Sequence, residues 1–298
     1  MTSNPDLSIV IPTHNRPDKL MRAVESAFDQ LECHVEVIVV DDGSSPPVVL
    51  PEHRCLRCLR LEGPQGEAAA RNAGLAAALG RYITFLDDDD RLLPQMASVS
   101  MAAISHSVLP APVAVISGLE VVSPSGDVLE RRFPPSHPRG QHFSLEPLPP
   151  GRSHVTKNTL VVDRTILLAL GGFDEELESC YWIDLFLRLN AVCSIAGISA
   201  ITYQLSRDRG QHISRDVGKR MRGIKQLERK HRHLLAAHPA GHADALLGEA
   251  RLALAAGSIP AAARHVYRAC GVAPRHVVGR VLDLSRWLRS LRHLPSSG

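Results

Sequence analysis

Three short apolar runs, each ending in a turn former or an acidic cluster, constrain this chain more than any other feature. Leu7-Ser-Ile-Val-Ile11 stops at Pro12. Val35 to Val40 stops at Asp41-Asp42-Gly43-Ser44-Ser45, and Tyr82 to Leu86 runs into Asp87-Asp88-Asp89-Asp90. Short β-rich runs bounded by such residues read as strands. The near-continuous apolar character of the second suits a strand buried on both faces. Leu56 to Leu61 supplies a further strand. Between the strands lie helical patterns. One opens at Arg16-Pro17-Asp18 and runs to about Leu31, with Leu20, Val24, Ala27, Phe28 and Leu31 at helical spacing. The other is Ala-rich, from Gly66 to Leu79, with Gly80 as the expected C-cap. This alternation predicts an α/β fold with a largely parallel sheet.

Downstream, Val113 to Ser117 reads as a strand and Gly118 to Glu130 as a hairpin around Ser125-Gly126. Phe133 to Arg152, rich in Pro, Gly and His, is expected to be a long loop, the kind that carries function or moves. Val155 to Leu170 and Gly171-Gly172-Phe173-Asp174-Glu175 lead to a helix around Trp182 to Asn190, and Ser194 to Tyr203 is the last strand of the body. From Val217 the pattern is helical, with Leu246 to Ala256 and Pro260 to Ala269 as a helix–turn–helix pair. Charge divides the chain at the same place. Residues 215–298 hold 16 Lys+Arg and 5 Asp+Glu, a net +11, so residues 1–214 carry −8 of the overall +3. The expected domains are therefore an acidic body, 1–214, and a basic α-helical extension, 215–298.

At 298 residues and 44% hydrophobic, the composition excludes disorder, collagen and disulfide scaffolds. Six scattered cysteines, Cys55-Leu-Arg-Cys58 among them, read as ordinary small apolar residues rather than a zinc or redox site. No run of about 18 apolar residues predicts a membrane span. Met1 to Asp6 lacks the charged and apolar regions of a secretory signal, so the expected location is cytoplasmic.

The acidic clusters carry the chemistry. Asp41-Asp42, Asp87 to Asp90 and, more loosely, Asp174-Glu175 follow strands or turns on the side where open α/β sheets bind ligands. Four consecutive aspartates repel one another unless a cation or solvent screens them. Hard cations such as Mg²⁺ or Mn²⁺ prefer carboxylate, phosphate and water oxygens. A metal–phosphate site is one reading and a solvated acidic turn is the other. Delivery by a buried strand favours the first.

With these segments in view, the chain resembles the family 2 glycosyltransferases. The resemblance rests on Ser8-Ile-Val-Ile-Pro-Thr-His-Asn-Arg16, Val37-Ile-Val-Val-Asp-Asp-Gly-Ser-Ser45, Ala70-Arg-Asn-Ala-Gly74 and Gly80-Arg-Tyr-Ile-Thr-Phe-Leu-Asp-Asp-Asp-Asp90, in the family's order and spacing. It covers residues 6–95 strongly and Gly171 to Leu189 in part. It implies a GT-A fold, a Rossmann-like three-layer sandwich with a mostly parallel sheet. It also implies contacts of Pro12 and His14 with a nucleoside, of Asp42 with the base (most often uracil N3–H), of Arg71 with the nucleotide and of Asp88 with the ribose. Asp87 and Asp89 are the implied DxD acids, with Asp89 on Mn²⁺ or Mg²⁺ and Asn72 supporting the loop. The implied reaction is an inverting, metal-dependent transfer of hexosyl type from a UDP- or dTDP-sugar. The acceptor would be a hydroxyl of a glycan, a lipid-linked sugar or a small molecule.

One stretch departs from the family. Where its pattern is Glu-Asp-x-Asp-Leu-x-Leu-Arg, with the first Asp as base, this chain reads Tyr181-Trp182-Ile183-Asp184-Leu185-Phe186-Leu187-Arg188. Trp182 cannot take a proton, although it would suit stacking on an acceptor sugar. Asp184 and Glu178 are the candidate bases. Asp184 lies about 200° around a helix from position 182. Glu178 would share that position's face if the helix reached back so far. Two alternatives stay open. One is a nucleotide-sugar binding protein without turnover. The other is a haloacid dehalogenase-like phosphohydrolase, suggested by Asp87-x-Asp89, although Arg91 stands where that family wants Thr or Val. No G-x-G-x-x-G follows the first strand, which speaks against a dinucleotide enzyme. His212, in Gln211-His212-Ile213-Ser214, resembles a late family histidine near the diphosphate. Finally, Arg275 to Arg292 forms an amphipathic, Arg-rich pattern. It would suit either peripheral contact with the inner face of a membrane or packing on the body or a homodimer partner. No nucleic-acid partner is expected, since no recognition motif accompanies the charge.

Overall fold

Leu7–Thr13 (β1) and Val35–Asp41 (β2) are buried along all seven of their residues and pair in parallel. The side chains of a strand alternate between faces. Ile9, Ile11, Val37 and Val39 therefore join one core with Leu20, Ala23 and Val24 of the helix Pro17–Phe28 (α1), while Val10, Ile38 and Val40 join a second core on the other face. The second core contains Ala70 and Leu75 of Glu67–Ala77 (α2) and Leu185, Phe186 and Leu189 of a later helix. The computed structural model describes residues 4–207 and 217–282.

Leu56–Arg60 (β3), Tyr82–Phe85 (β4) and the short Val162–Asp163 complete a sheet in the order β3-β2-β1-β4 and then that short strand. All neighbours in it run parallel except the last pair. A second, four-stranded sheet uses Arg91–Leu92 (β5), Val113–Val122 (β6), Val128–Arg132 (β7) and Ser194–Ser206. With Val162–Asp163 numbered β8 and Ser194–Ser206 numbered β9, its order is β5-β9-β6-β7. Met96–Ser105 (α3), Arg164–Ala169 (α4) and Tyr181–Val192 (α5) complete the helices of this unit. The result is the expected mixed α/β sandwich with helices on both faces of its central sheet.

Several boundaries differ from the sequence expectation. β6 is one ten-residue strand running through Gly118, and the hairpin turn falls at Ser123 to Asp127, closed by Ser123 N–H on the Asp127 carbonyl at 2.9 Å. Gly118 was read as a break, yet it marks a register shift against β9. α1 ends at Phe28, because Leu31 is exposed and its N–H is diverted to the Pro94 carbonyl at 2.9 Å. Gly80 does not cap α2, which closes at Ala78. It sits against β1, where a Cβ would stand 2.7 Å from the Ser8 nitrogen.

Glu36 ties the turn after α2 to the start of the sheet. Its Oε1 accepts from the Ser8 hydroxyl at 2.6 Å, Leu79 N–H at 2.6 Å and Gly80 N–H at 3.1 Å, and Oε2 accepts from Arg57 at 2.6 Å. Burial alone would raise this carboxyl, but the donors from Ser8, Leu79 and Arg57 outweigh it and hold the group below its ordinary value. Such a group favours the fold above its unfolded pKa of about 4.3, and that favour is lost as pH falls through the lower folded value. Glu36→Gln should therefore be less stable than wild type at pH 7 and show a shallower loss of stability on acidification below about pH 4.5. Parallel pH–stability curves from urea melts would contradict this.

A second unit takes Ser144–Pro147, Leu177–Cys180 and the helical C-terminal residues. Its helices are Val217–Lys230 (α6), Arg232–Ala237 (α7), Pro239–Ala255 (α8), Ile259–Val272 (α9) and Pro274–Leu282 (α10). α8 and α9 form the helix pair seen in the sequence. Small residues, among them Ala250, Ala253, Ala261 and Ala262, make their shared core. The acids of α6 and α8 are each paired. Glu228 bonds His242 and Arg268, Glu249 bonds Arg220, and Asp244 bonds His276 and Arg280. Val277 of the amphipathic pattern is packed with Ala243, Leu246 and Ala269. His212 and the remainder of that pattern from 283 onward lie outside the described residues. Among the described residues, no helix is long and apolar enough to cross a membrane.

Candidate active site

Because β1 pairs in parallel with both β2 and β4, the residues that follow three strands meet at one sheet edge. Thr13, His14 and Arg16 arrive from β1, Asp41 and Asp42 from β2, and Asp87 to Asp90 from β4. Pro12 is buried within β1, while His14 is exposed and its Nδ1 donates to the Asp42 carbonyl at 2.7 Å.

Each acid has a distinct set of partners. Asp41 accepts from Ser44 N–H at 2.8 Å, Val48 N–H at 3.2 Å and Arg60, and it shapes the turn after β2. Burial works against its charge, but the Ser44, Val48 and Arg60 donors keep the carboxyl low. Asp42 accepts Gln65 N–H at 2.7 Å and Gly66 N–H at 2.9 Å. Gly66, at φ +98, allows the chain to present both amides before entering α2. Asp88 is nearly buried and accepts from the Thr13 hydroxyl at 2.7 Å and from Arg16 at 3.1 Å. Asp90 is buried, taking the Tyr203 hydroxyl at 2.7 Å and Ser206 N–H at 2.8 Å. Burial and the charges of Asp87 and Asp89 push its carboxyl well up.

Arg71, expected to front the nucleotide, is only 2% exposed and works from behind the edge. Its guanidinium donates to Asp87 at 2.6 Å and to Glu67 at 3.1 Å. It lies 5.4 to 5.8 Å from the ring centroids of Phe173, Tyr181 and Trp182. Aromatic faces stabilise a desolvated cation. Despite burial, the Asp87 and Glu67 carboxylates keep it firmly protonated. Asp87 also accepts from Asn158 at 3.1 Å. Burial raises its carboxyl, with Glu67 and Asp89 adding to the push against the pull of Arg71.

Two expectations about the base need correction. Asp184 is wholly buried one turn below Arg188, which holds it at 2.6 and 2.9 Å and also binds the Leu170 and Gly172 carbonyls. That pair locks α5 to the preceding turn and does not reach the sheet edge's solvent. Glu178 is not on a helix. α5 begins at Tyr181, Cys180 adopts φ 65, and Glu178 pairs with Arg222 in the second unit. Trp182, half-buried, packs edge-on against Phe173 at 4.9 Å and Phe85 at 5.9 Å at the margin of the second core. Asn72 holds the loop as expected. It clasps Phe173 through both backbone groups at 2.8 Å and reaches Glu175 at 2.7 Å.

Pro12, His14, Asp42, Arg71, Asp87, Asp88 and Asp89 thus come together, and Asp184 and Glu178 do not join them. Sequence reasoning passed over Arg16, Glu67, Tyr181, Asn158 and Tyr203. Arg16 sits inside a quoted motif, whereas Asn158 and Tyr203 approach from distant segments with no local signal. A divalent cation fits the donor set. Asp89 is held only by Arg16 at 3.4 Å and keeps Oδ1 without a partner among the described residues. Burial first, and then the charge of neighbouring acids, raises Asp87, Asp88 and Asp90, and a cation would relieve the second of these. Among the described residues, no cluster of three His, Cys, Asp or Glu side chains could hold a metal. Its other ligands would therefore be phosphate and water oxygens, as hard cations accept.

The chain is thus an α/β protein with an acid-lined edge at the carboxyl ends of its parallel strands. Residues 8–116, about a third of the chain, match the model for Glycosyl transferase family 2. It is 43% identical over 95 residues to the succinoglycan biosynthesis protein ExoO of Rhizobium meliloti, covering 30% of this chain and 27% of that protein. It is 26% identical over 185 residues to an uncharacterized glycosyltransferase of Haemophilus influenzae, covering 61% of each. Over 205 residues it is 32% identical to the pre-mycofactocin glycosyltransferase of Mycobacterium tuberculosis, covering 63% of this chain and 39% of that one. The chain thus spans less than two thirds of these relatives. The crystal structure of S. aureus TarS 1-349 in complex with UDP-GlcNAc shares the GT-A fold, with a TM-score of 0.52 at 16% identity over 88% of this chain and 91% of that one.

Proposed function

We propose that the chain transfers a glycosyl group from a nucleoside diphosphate sugar to an acceptor hydroxyl with inversion. The observation that carries the reading is the convergence of Asp42, Arg16 and Asp87 to Asp90 at the carboxyl edge of β1, β2 and β4. Asp42 has spare lone pairs after accepting two amides, so it would accept the N–H of a base. Arg16 would supply a fixed positive charge beside the phosphates. Asp89, with Asp87 behind it, would hold Mn²⁺ or Mg²⁺, which when bound offsets charge on the leaving diphosphate. TarS was crystallised with UDP-GlcNAc and with UDP, which makes uridine the first nucleotide to try. The acceptor class is a glycan, lipid-linked or small-molecule hydroxyl. A lipid-linked one would place the basic C-terminal region against anionic headgroups at the inner face of a membrane.

A second reading, nucleotide-sugar binding without turnover, is favoured by Trp182 standing where the family pattern has an acid. Both are tested by melting the protein with nucleoside diphosphates and their sugars, with and without Mn²⁺, and by following release of the diphosphate. UDP with Mn²⁺ at a hundred times Kd should raise Tm by about 5 °C or more, since it contributes about 2.7 kcal/mol. Release of UDP from a UDP-sugar supports transfer, while stabilisation without release supports the second reading. No stabilisation by any nucleoside diphosphate would overturn both.

A further inference from the structure

The carboxylates at the sheet edge differ in what remains once their hydrogen bonds are counted. Asp41, Asp42, Asp87, Asp88 and Asp90 each have a donor on both oxygens. Two acids keep an oxygen without a partner among the described residues. One is Asp89, the acid best placed for the cation. The other is Glu67, in the first turn of α2. Its Oε2 receives the Tyr181 hydroxyl and Arg71, while Oε1 accepts nothing, and the side chain is 39% exposed.

Glu67 is also tied to the acid edge through a shared cation. The Tyr181 bond brings its carboxylate to the start of α5, and the shared Arg71 guanidinium sets it beside Asp87. Arg71 and Arg16 favour its ionised form against burial. The N-terminus of α2 adds its dipole in the same sense.

We infer that Glu67 is the general base of the transfer proposed above, on which this inference rests. As the acceptor oxygen bonds to the anomeric carbon, its proton passes to Glu67 Oε1. The anomeric C–O bond to the diphosphate breaks, and the electron pair leaves on the diphosphate. The proton later leaves Glu67 for solvent. Tyr181 and Arg71 are positioning residues. They occupy Oε2 and fix the carboxylate so that Oε1 alone faces a substrate. Glu67 thereby supplies the carboxylate that position 182 lacks.

The experiment compares Glu67→Gln, Glu67→Asp and Tyr181→Phe with wild type in steady-state transfer, together with UDP affinity measured in Mn²⁺. The amide of Glu67→Gln can still accept from Tyr181 and Arg71, so the fold is kept. Glu67→Gln should retain UDP affinity and donor KM within about threefold while kcat falls about 10²-fold or more, the usual contribution of a positioned base. Glu67→Asp should recover part of that loss. Tyr181→Phe should lower kcat by a smaller factor without changing UDP affinity. A kcat for Glu67→Gln within about threefold of wild type overturns the inference and leaves glycosyl transfer standing. Loss of UDP affinity at unchanged kcat also overturns it, by making Glu67 a donor-binding residue. A wild-type chain that transfers no sugar removes the underlying reading and this inference with it.

Discussion

Arg71→Met is expected to destabilise the protein by about 3–5 kcal/mol, the range for removing one partner of a buried ion pair. The substitution keeps volume and suits the surrounding Phe173, Tyr181 and Trp182, so the loss reports charge rather than packing. Asp87 and Glu67 would then face each other with no cation between them. Their side chains are 31% and 39% exposed, so water screens part of the penalty and the lower end of the range applies. Arg71→Lys should cost less, since it keeps the charge but cannot serve two carboxylates from one planar group. Adding Glu67→Gln to Arg71→Met should recover stability by removing one unpaired charge. Trp182 lies against the guanidinium and offers a fluorescence reporter for the urea melts. A cost below about 1 kcal/mol would mean the acids are far better hydrated than their packing indicates.

Asp89→Ala is expected to lower transfer by about 10³-fold and to erase the response of UDP binding to Mn²⁺. Loss of a bound cation removes several kcal/mol of transition-state charge stabilisation. The fold should be indifferent, because Asp89 has only the long Arg16 contact. Stability at neutral pH should hold or rise slightly. Asp89 is one of the charges that push Asp87, Asp88 and Asp90 up, and a raised carboxyl is one whose ionised form the fold disfavours. Tight, Mn²⁺-dependent UDP binding in this variant would remove Asp89 from the cation site. Asp90→Ala makes the contrast, since it strands the buried Tyr203 hydroxyl and should cost stability first.

What could be read from the sequence follows from where each signal lies. β1, β2 and β4 announced themselves through apolar runs, and their acids through position alone, so the sheet edge was legible before any coordinates. The second sheet was not. β6 and β9 pair parallel across some 80 residues, and no local pattern reports that. Gly118, the expected start of the hairpin, lies inside β6, where a Cβ would meet Ile201 at 2.9 Å. Arg71 was assigned to the right neighbourhood and the wrong depth. A sequence places a cation near a motif but does not say that Phe173 and Trp182, about 100 residues away, will close over it. Glu178 failed for a backbone reason: the positive φ of Cys180 starts α5 three residues too late to carry it.

α2 has a consequence for how such a protein can diversify. Gly66 feeds an amide to Asp42, Glu67 meets Tyr181, Arg71 braces Asp87, Asn72 clasps Phe173, and Gly74 lets the whole rod lie against Val10 with no room for a methyl group. Nine residues thus act as a single gauge block between the ends of β2 and β4 and the start of α5. None of these distances can be altered separately from this helix.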